Sequence, residues 1–169
     1  QRQLTFIKKS DLGESNASAK ATNTRTSDEI VSLYTTSVFY GLGSGVWLAT
    51  LTKPDNASGA ILPALGFAGG AAAVVAALDA GRPMKYGVPQ SIVSGLYIGY
   101  EEGFVWTLFN QATTKSSDQW KGSTVATLMW SSATVGAVAG GIIGSSQGTT
   151  PGRASYVGSA ALWTGLVSG

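Results

Sequence analysis

The chain has 169 residues and a formal net charge of +2, and only 12% of its residues are charged. So small and scattered a charge gives no indication of a nucleic-acid partner. The sequence contains neither cysteine nor histidine, which excludes disulfide frameworks, thiolate nucleophiles and histidine-based catalytic or metal sites. Dinucleotide, P-loop and serine-hydrolase motifs are missing as well. We therefore expect a protein that is not an enzyme and that needs no cofactor.

Residues 1–29 form a polar tail ahead of a more apolar region, residues 30–169. The tail carries nine of the twenty charged residues of the chain. Near its end, Thr26 and Glu29 have the spacing of a capping box, in which each side chain satisfies a backbone N–H group of the other. This spacing predicts that the first helix begins here.

Long stretches of the remaining sequence carry almost no charge. They cover residues 30–52, 56–78, 86–114 and 122–152, and another begins at residue 154. About 20 uncharged, mostly apolar residues are enough for one helix to cross a bilayer. Gly81 predicts the end of the second helix, and Pro89 and Pro151 suit the first turns of later ones. The predicted fold class is all-α, with Gly-striped helical hairpins forming a transmembrane bundle of four to five helices.

The hairpins form a weak internal repeat. The segments GLGSG at 41–45, GYEEG at 99–103 and GLVSG at 165–169 follow similar lead-in sequences. This pattern predicts one unit at about residues 30–85, a second at 86–152, and a third that begins at 153.

Small residues recur at intervals of four along each predicted helix. The glycines concerned are Gly41, Gly45, Gly66, Gly70, Gly95, Gly99, Gly136, Gly140 and Gly144. Residues four apart share a helix face, so each row predicts a groove into which another helix backbone can pack, as in lipid-embedded helix pairs. For the fourth stretch the predicted partner is either the second helix, through Gly66 and Gly70, or the third helix. Tight packing inside a soluble bundle is the alternative interpretation.

Glu101 and Glu102 interrupt the third stretch with two adjacent carboxylates. One interpretation is that the helix ends near Tyr100, so that the pair lies in water or caps a following helix. The other is a buried ion pair or a proton-handling site, since a charge in a bilayer interior is costly. The sequence favours a helix boundary.

Together these patterns predict a structural membrane protein, either a scaffold or an accessory subunit of a larger assembly. Its expected partners are the lipid bilayer and other subunits or copies of itself, with no nucleic acid. A channel or transporter using Glu101 or Glu102 is one alternative, and a soluble helical-repeat interaction module is another. Because Lys and Arg residues favour the cytoplasmic or matrix side of a membrane, the distribution of cations in the loops predicts that the N-terminus lies there.

Overall fold

The computed structural model describes residues 24–168, which form five α-helices. These are α1 (Ser27–Thr52), α2 (Ala57–Gly81), α3 (Val88–Thr113), α4 (Gly122–Gln147) and α5 (Pro151–Ser168). This part of the chain contains no strand, and only one isolated β-bridge, between Thr24 and Lys85. The predicted all-helical bundle is confirmed. Most of the predicted polar tail, residues 1–23, lies outside the described residues.

Local sequence signals set several helix ends where they were predicted. The Thr26 side chain accepts a hydrogen bond from the Glu29 backbone N–H, and the Glu29 carboxylate accepts one from the Thr26 N–H, which confirms the capping box. Helix α2 ends at Gly81, Pro89 lies in the first turn of α3, and α5 begins at Pro151.

One prediction about a helix end was wrong. Helix α3 does not stop near Tyr100 but continues through Glu101 and Glu102 to Thr113. The physical reason is that no proline interrupts this segment, and the buried row Gly99, Gly103 and Thr107 continues the packing face of the helix past the glutamates. The glutamate pair therefore lies halfway along a 26-residue helix.

The helices pack as two antiparallel pairs, α1 with α2 and α3 with α4. Helix α1 also contacts α3 and α4 and so joins the two pairs, whereas α5 packs against α3. The start of α1 and the α2–α3 turn meet at the Thr24–Lys85 bridge, and Gly87 in that turn lies against Thr149 in the α4–α5 turn. These three segments therefore occupy the same end of the bundle.

The distribution of polar and apolar side chains is unusual for a water-soluble domain. Among the described residues, buried polar side chains such as Ser44, Ser91 and Ser94 are nearly as numerous as buried apolar ones. Large apolar side chains face outward, and Leu62 is 66% and Val135 68% exposed. Several hydroxyl groups donate to the carbonyl four residues earlier, which satisfies them inside their own helix. Examples are Ser44 to Tyr40, Ser91 to Gly87 and Thr107 to Gly103.

The one apolar core cluster among the described residues lies toward the end of the bundle that holds the α2–α3 turn. Leu33, Val75 and Val93 are buried there and come from three different helices. Met84 from the turn and Ile92 pack against them. Large side chains thus fix the bundle at this end, while small residues line its middle.

Two of the five helices, α2 and α4, are long and apolar enough to cross a membrane. The sequence predicted a transmembrane bundle of four to five helices. Of the other two long helices, α1 falls short because its many hydroxyl and glycine residues lower its mean hydropathy, and α3 falls short because it contains Glu101 and Glu102.

Candidate functional site: glycine contacts and a glutamate-lined groove

Helices α3 and α4 meet backbone to backbone at their glycines. A β-carbon placed on Gly136 would lie 2.1 Å from the Gly95 carbonyl oxygen, and one on Gly95 would lie 2.2 Å from the Gly136 carbonyl oxygen. A β-carbon on Gly140 would lie 2.1 Å from the Ser91 carbonyl oxygen. Since β-carbons essentially never approach other atoms within 3.0 Å, no larger residue fits here unless the helices move apart.

The same contact continues along both helices. A β-carbon on Gly99 would lie 2.1 Å from the Ser132 carbonyl oxygen, and one on Gly144 would lie 2.7 Å from the Ser91 β-carbon. Of the two partners predicted for the fourth stretch, it is α3, the adjacent arm of the hairpin, that occupies this face of α4.

Helix α1 approaches α2 in a similar way, but only the α1 side supplies glycines. A β-carbon on Gly41 would lie 2.5 Å from the Ala68 α-carbon, and one on Gly45 would lie 2.2 Å from the Ala64 α-carbon. Gly66 and Gly70 have no neighbouring atom within 4 Å of such a β-carbon. The prediction that they contact another helix is therefore not met within the described chain. The reason is rotational, because two residues along a helix turn the face by about 200°, away from the Ala64 and Ala68 face.

Polar side chains and stacked tryptophans join α1 to α4. Three hydrogen bonds connect the helices: Tyr40 with Thr134, Trp130 with Ser44, and Trp47 with Thr127. The Trp47 and Trp130 rings are stacked, with centroids 4.1 Å apart and planes 3° from parallel. The sequence analysis missed this contact. The spacing of Tyr40, Ser44 and Trp47 along one helix face was the available signal.

A second polar cluster holds the start of α1 against the α2–α3 turn. Glu29 is only 4% exposed, and its Oε1 accepts a 2.7 Å hydrogen bond from the Gly87 N–H. Arg25 forms an ion pair with Asp79, whose Oδ1 also accepts from the Met84 N–H at 3.0 Å. The hydrogen bond from Arg25 to Asp79 and the nearby negative charge raise the pKa of the guanidinium above its ordinary value.

The side chain of Glu101 extends from α3 toward α5, whereas the side chain of Glu102 is exposed. Oε1 of Glu101 accepts a hydrogen bond from the Gly165 N–H at 3.2 Å. Glu101 forms no ion pair within residues 24–168, where the ion pair found is Arg25–Asp79. The structure thus separates the two glutamates into different environments.

An open groove of about 690 Å³ runs beside Glu101, between α3 and α5. Aromatic side chains line it, including Tyr97, Phe104 and Phe109. No lysine or arginine is among the described residues that form its walls. A single carboxylate therefore faces an apolar, aromatic space.

Comparison with known proteins gives no functional information, because no family model, curated protein or solved structure matches this chain.

Proposed function

We propose that this protein is an integral membrane protein with a structural role, as a scaffold or an accessory subunit of a larger assembly. The observation that carries the proposal is the exposure of its most apolar helices. On α2, Ile61, Leu62 and Leu65 are more than half exposed, and on α4 so are Val135 and Ile142. Monomeric soluble proteins rarely leave apolar patches of this extent uncovered, whereas lipid covers them at no cost.

The glycine contacts support the same proposal. Each glycine in a helix costs about 1 kcal/mol of propensity relative to alanine. In lipid, helices gain little from burying apolar area, so that close backbone approach and interhelical hydrogen bonds provide much of the association energy. The backbone contact of Gly95 with Gly136 and the α1–α4 hydrogen bonds are contacts of these two kinds.

Lipid and other protein subunits are the proposed partners. On α2, a β-carbon added to Gly66 or Gly70 would meet no atom within 4 Å, and the neighbouring Leu62 and Leu65 are exposed. A face of this composition suits lipid chains or a further helix.

A channel or transporter receives less support from the geometry. Glu102 is exposed on the outside of the bundle, and Glu101 lies in a groove between two helices at one edge. A conduction path would place the carboxylate between several helices. A soluble repeat module receives less support still, because of the exposed apolar faces of α2 and α4.

Fractionation followed by alkaline carbonate extraction tests the proposal. Carbonate strips peripheral proteins from membranes and leaves integral ones in the pellet, so that we expect the chain in the pellet and its release only by detergent. Recovery in the carbonate supernatant, together with a monodisperse protein in detergent-free buffer, would refute the membrane proposal in favour of the soluble module.

A further inference from the structure

The α3–α5 groove combines three features that together define a ligand chemistry. Its walls are apolar and aromatic, with Tyr97 52%, Phe104 47% and Phe109 59% exposed. Its volume of about 690 Å³ falls within the range of small-molecule sites. Its charged group is Glu101, since no cationic side chain is among the described residues that line it.

The carboxylate of Glu101 is only partly satisfied. Oε1 accepts the 3.2 Å hydrogen bond from the Gly165 N–H, and no hydrogen bond to Oε2 occurs among the described residues. An ionised carboxylate in an apolar environment is costly unless an opposite charge accompanies it. Within residues 24–168 the protein supplies no such charge to Glu101.

The aromatic walls of the groove also favour a positively charged ligand. The faces of Tyr and Phe rings attract cations within about 6 Å of the ring centre. An anion would meet both the Glu101 charge and the negative ring faces, and a neutral molecule would leave the carboxylate unpaired. Both the carboxylate and the rings therefore favour a positively charged ligand with an apolar body.

We propose that this groove binds a lipophilic monocation, such as an amine or ammonium group on an aromatic or aliphatic body, with Glu101 as its counter-ion. The apolar body packs against Phe104 and Phe109, and the positive charge lies beside Glu101. Because Glu101 is halfway along α3, the ligand enters through the open side of the groove and not from the helix ends.

Binding of tetraphenylphosphonium to the purified chain, measured by equilibrium dialysis, tests the proposal. We expect saturable binding to the wild type and to Glu102→Gln, and binding weaker by at least about tenfold in Glu101→Gln, since only that change removes the facing charge. Glu102→Gln is the matched control because it removes the same charge one residue away, on an exposed position. Tetraphenylborate, an anion of the same shape, is expected not to bind.

Equal affinity of Glu101→Gln and the wild type for tetraphenylphosphonium would overturn the proposal. An equal loss of affinity in Glu101→Gln and Glu102→Gln would overturn it too, because it would indicate a general effect of surface charge. If Glu101→Gln does not fold by circular dichroism, Phe104→Leu decides instead. We expect it to weaken binding several-fold relative to Phe39→Leu, a change at an exposed position on α1, and no difference between these two would refute the site. Carbonate extraction tests the membrane proposal, and dialysis tests ligand binding in the groove. The two results are independent, because a chain that proved soluble would be dialysed in the same way without detergent.

Discussion

Gly136 and Gly66 are the same residue type in opposite surroundings. A β-carbon on Gly136 meets the backbone of α3 at 2.1 Å, whereas one on Gly66 meets nothing within 4 Å. We expect Gly136→Ala to destabilise the bundle by about 1–3 kcal/mol, as overpacking does. Gly66→Ala is expected to be neutral or to stabilise by up to about 1 kcal/mol, through helix propensity. Reversible unfolding of the two variants, followed by circular dichroism, measures the difference.

A larger side chain sharpens the same comparison. Leucine at Gly140 must displace the Ser91 carbonyl, whereas Ser146 is exposed and bonds only within its own helix. If the free energies of unfolding of Gly140→Leu and Ser146→Leu were the same, the α3–α4 contact would not contribute to stability.

At the scale of elements, α5 offers a direct test because the chain contains no cysteine. A β-carbon on Gly158 would lie 3.1 Å from the β-carbon of Ser94 on α3, and a disulfide needs about 3.5–4.5 Å. We expect the Ser94→Cys/Gly158→Cys pair to cross-link under mild oxidation after a shift of a few tenths of an ångström. The loss of two thiols, measured by mass spectrometry, detects the bond.

Gly152 supplies the control for this cross-link. It lies on the same helix, and a β-carbon placed on it would meet no atom within 4 Å, so that Ser94→Cys/Gly152→Cys is expected to remain reduced. Cross-linking of both pairs at the same rate would mean that α5 is not held in one position on α3.

Features that depend on neighbouring residues could be predicted from the sequence, and those that depend on helix rotation could not. Thr26 and Glu29 are three residues apart, so their spacing alone indicates the cap. Gly66 and Gly70 have the same spacing as Gly136 and Gly140, so the spacing predicts the same contact for both pairs. In the structure α2 instead turns Ala64 and Ala68 toward α1, and spacing alone does not reveal that rotation.

The environment of Glu101 depends on contacts between residues that are still farther apart in the sequence. Its hydrogen-bond partner Gly165 is 64 residues away in the chain, and its position relative to α5 follows from how both helices pack in the bundle. The adjacent carboxylates look equivalent in the sequence. Only the packing of α5 distinguishes Glu101, which it contacts, from Glu102, which it leaves exposed.

At the scale of the whole molecule, the cations are unevenly divided between the two ends. One end carries Arg25, Arg82, Lys85 and Arg153, and the other carries Lys53, Lys115 and Lys121. If the chain spans a membrane, the more cationic end is expected on the cytoplasmic or matrix side. The orientation can be tested with two single substitutions, Ser117→Cys and Gly152→Cys. These exposed positions lie at opposite ends of the bundle, and neither substitution removes a charge.

Labelling with an impermeant maleimide measures this orientation. In intact cells or organelles we expect Ser117→Cys to react and Gly152→Cys to react only after lysis. The reverse pattern would invert the orientation, and equal labelling of both before lysis would contradict a bundle that separates two compartments.

The hydrogen bond from Gly87 to Glu29 has a consequence for biosynthesis. Thr26 can cap α1 as soon as the first helix has been made, but the second oxygen of this buried carboxylate has no partner until residue 87 leaves the ribosome. Arg25 finds its partner earlier, because Asp79 is made 54 residues later and belongs to the second helix of the first hairpin. We therefore expect the start of α1 to reach its final position only once the start of the third helix has emerged, after the α1–α2 contacts have formed.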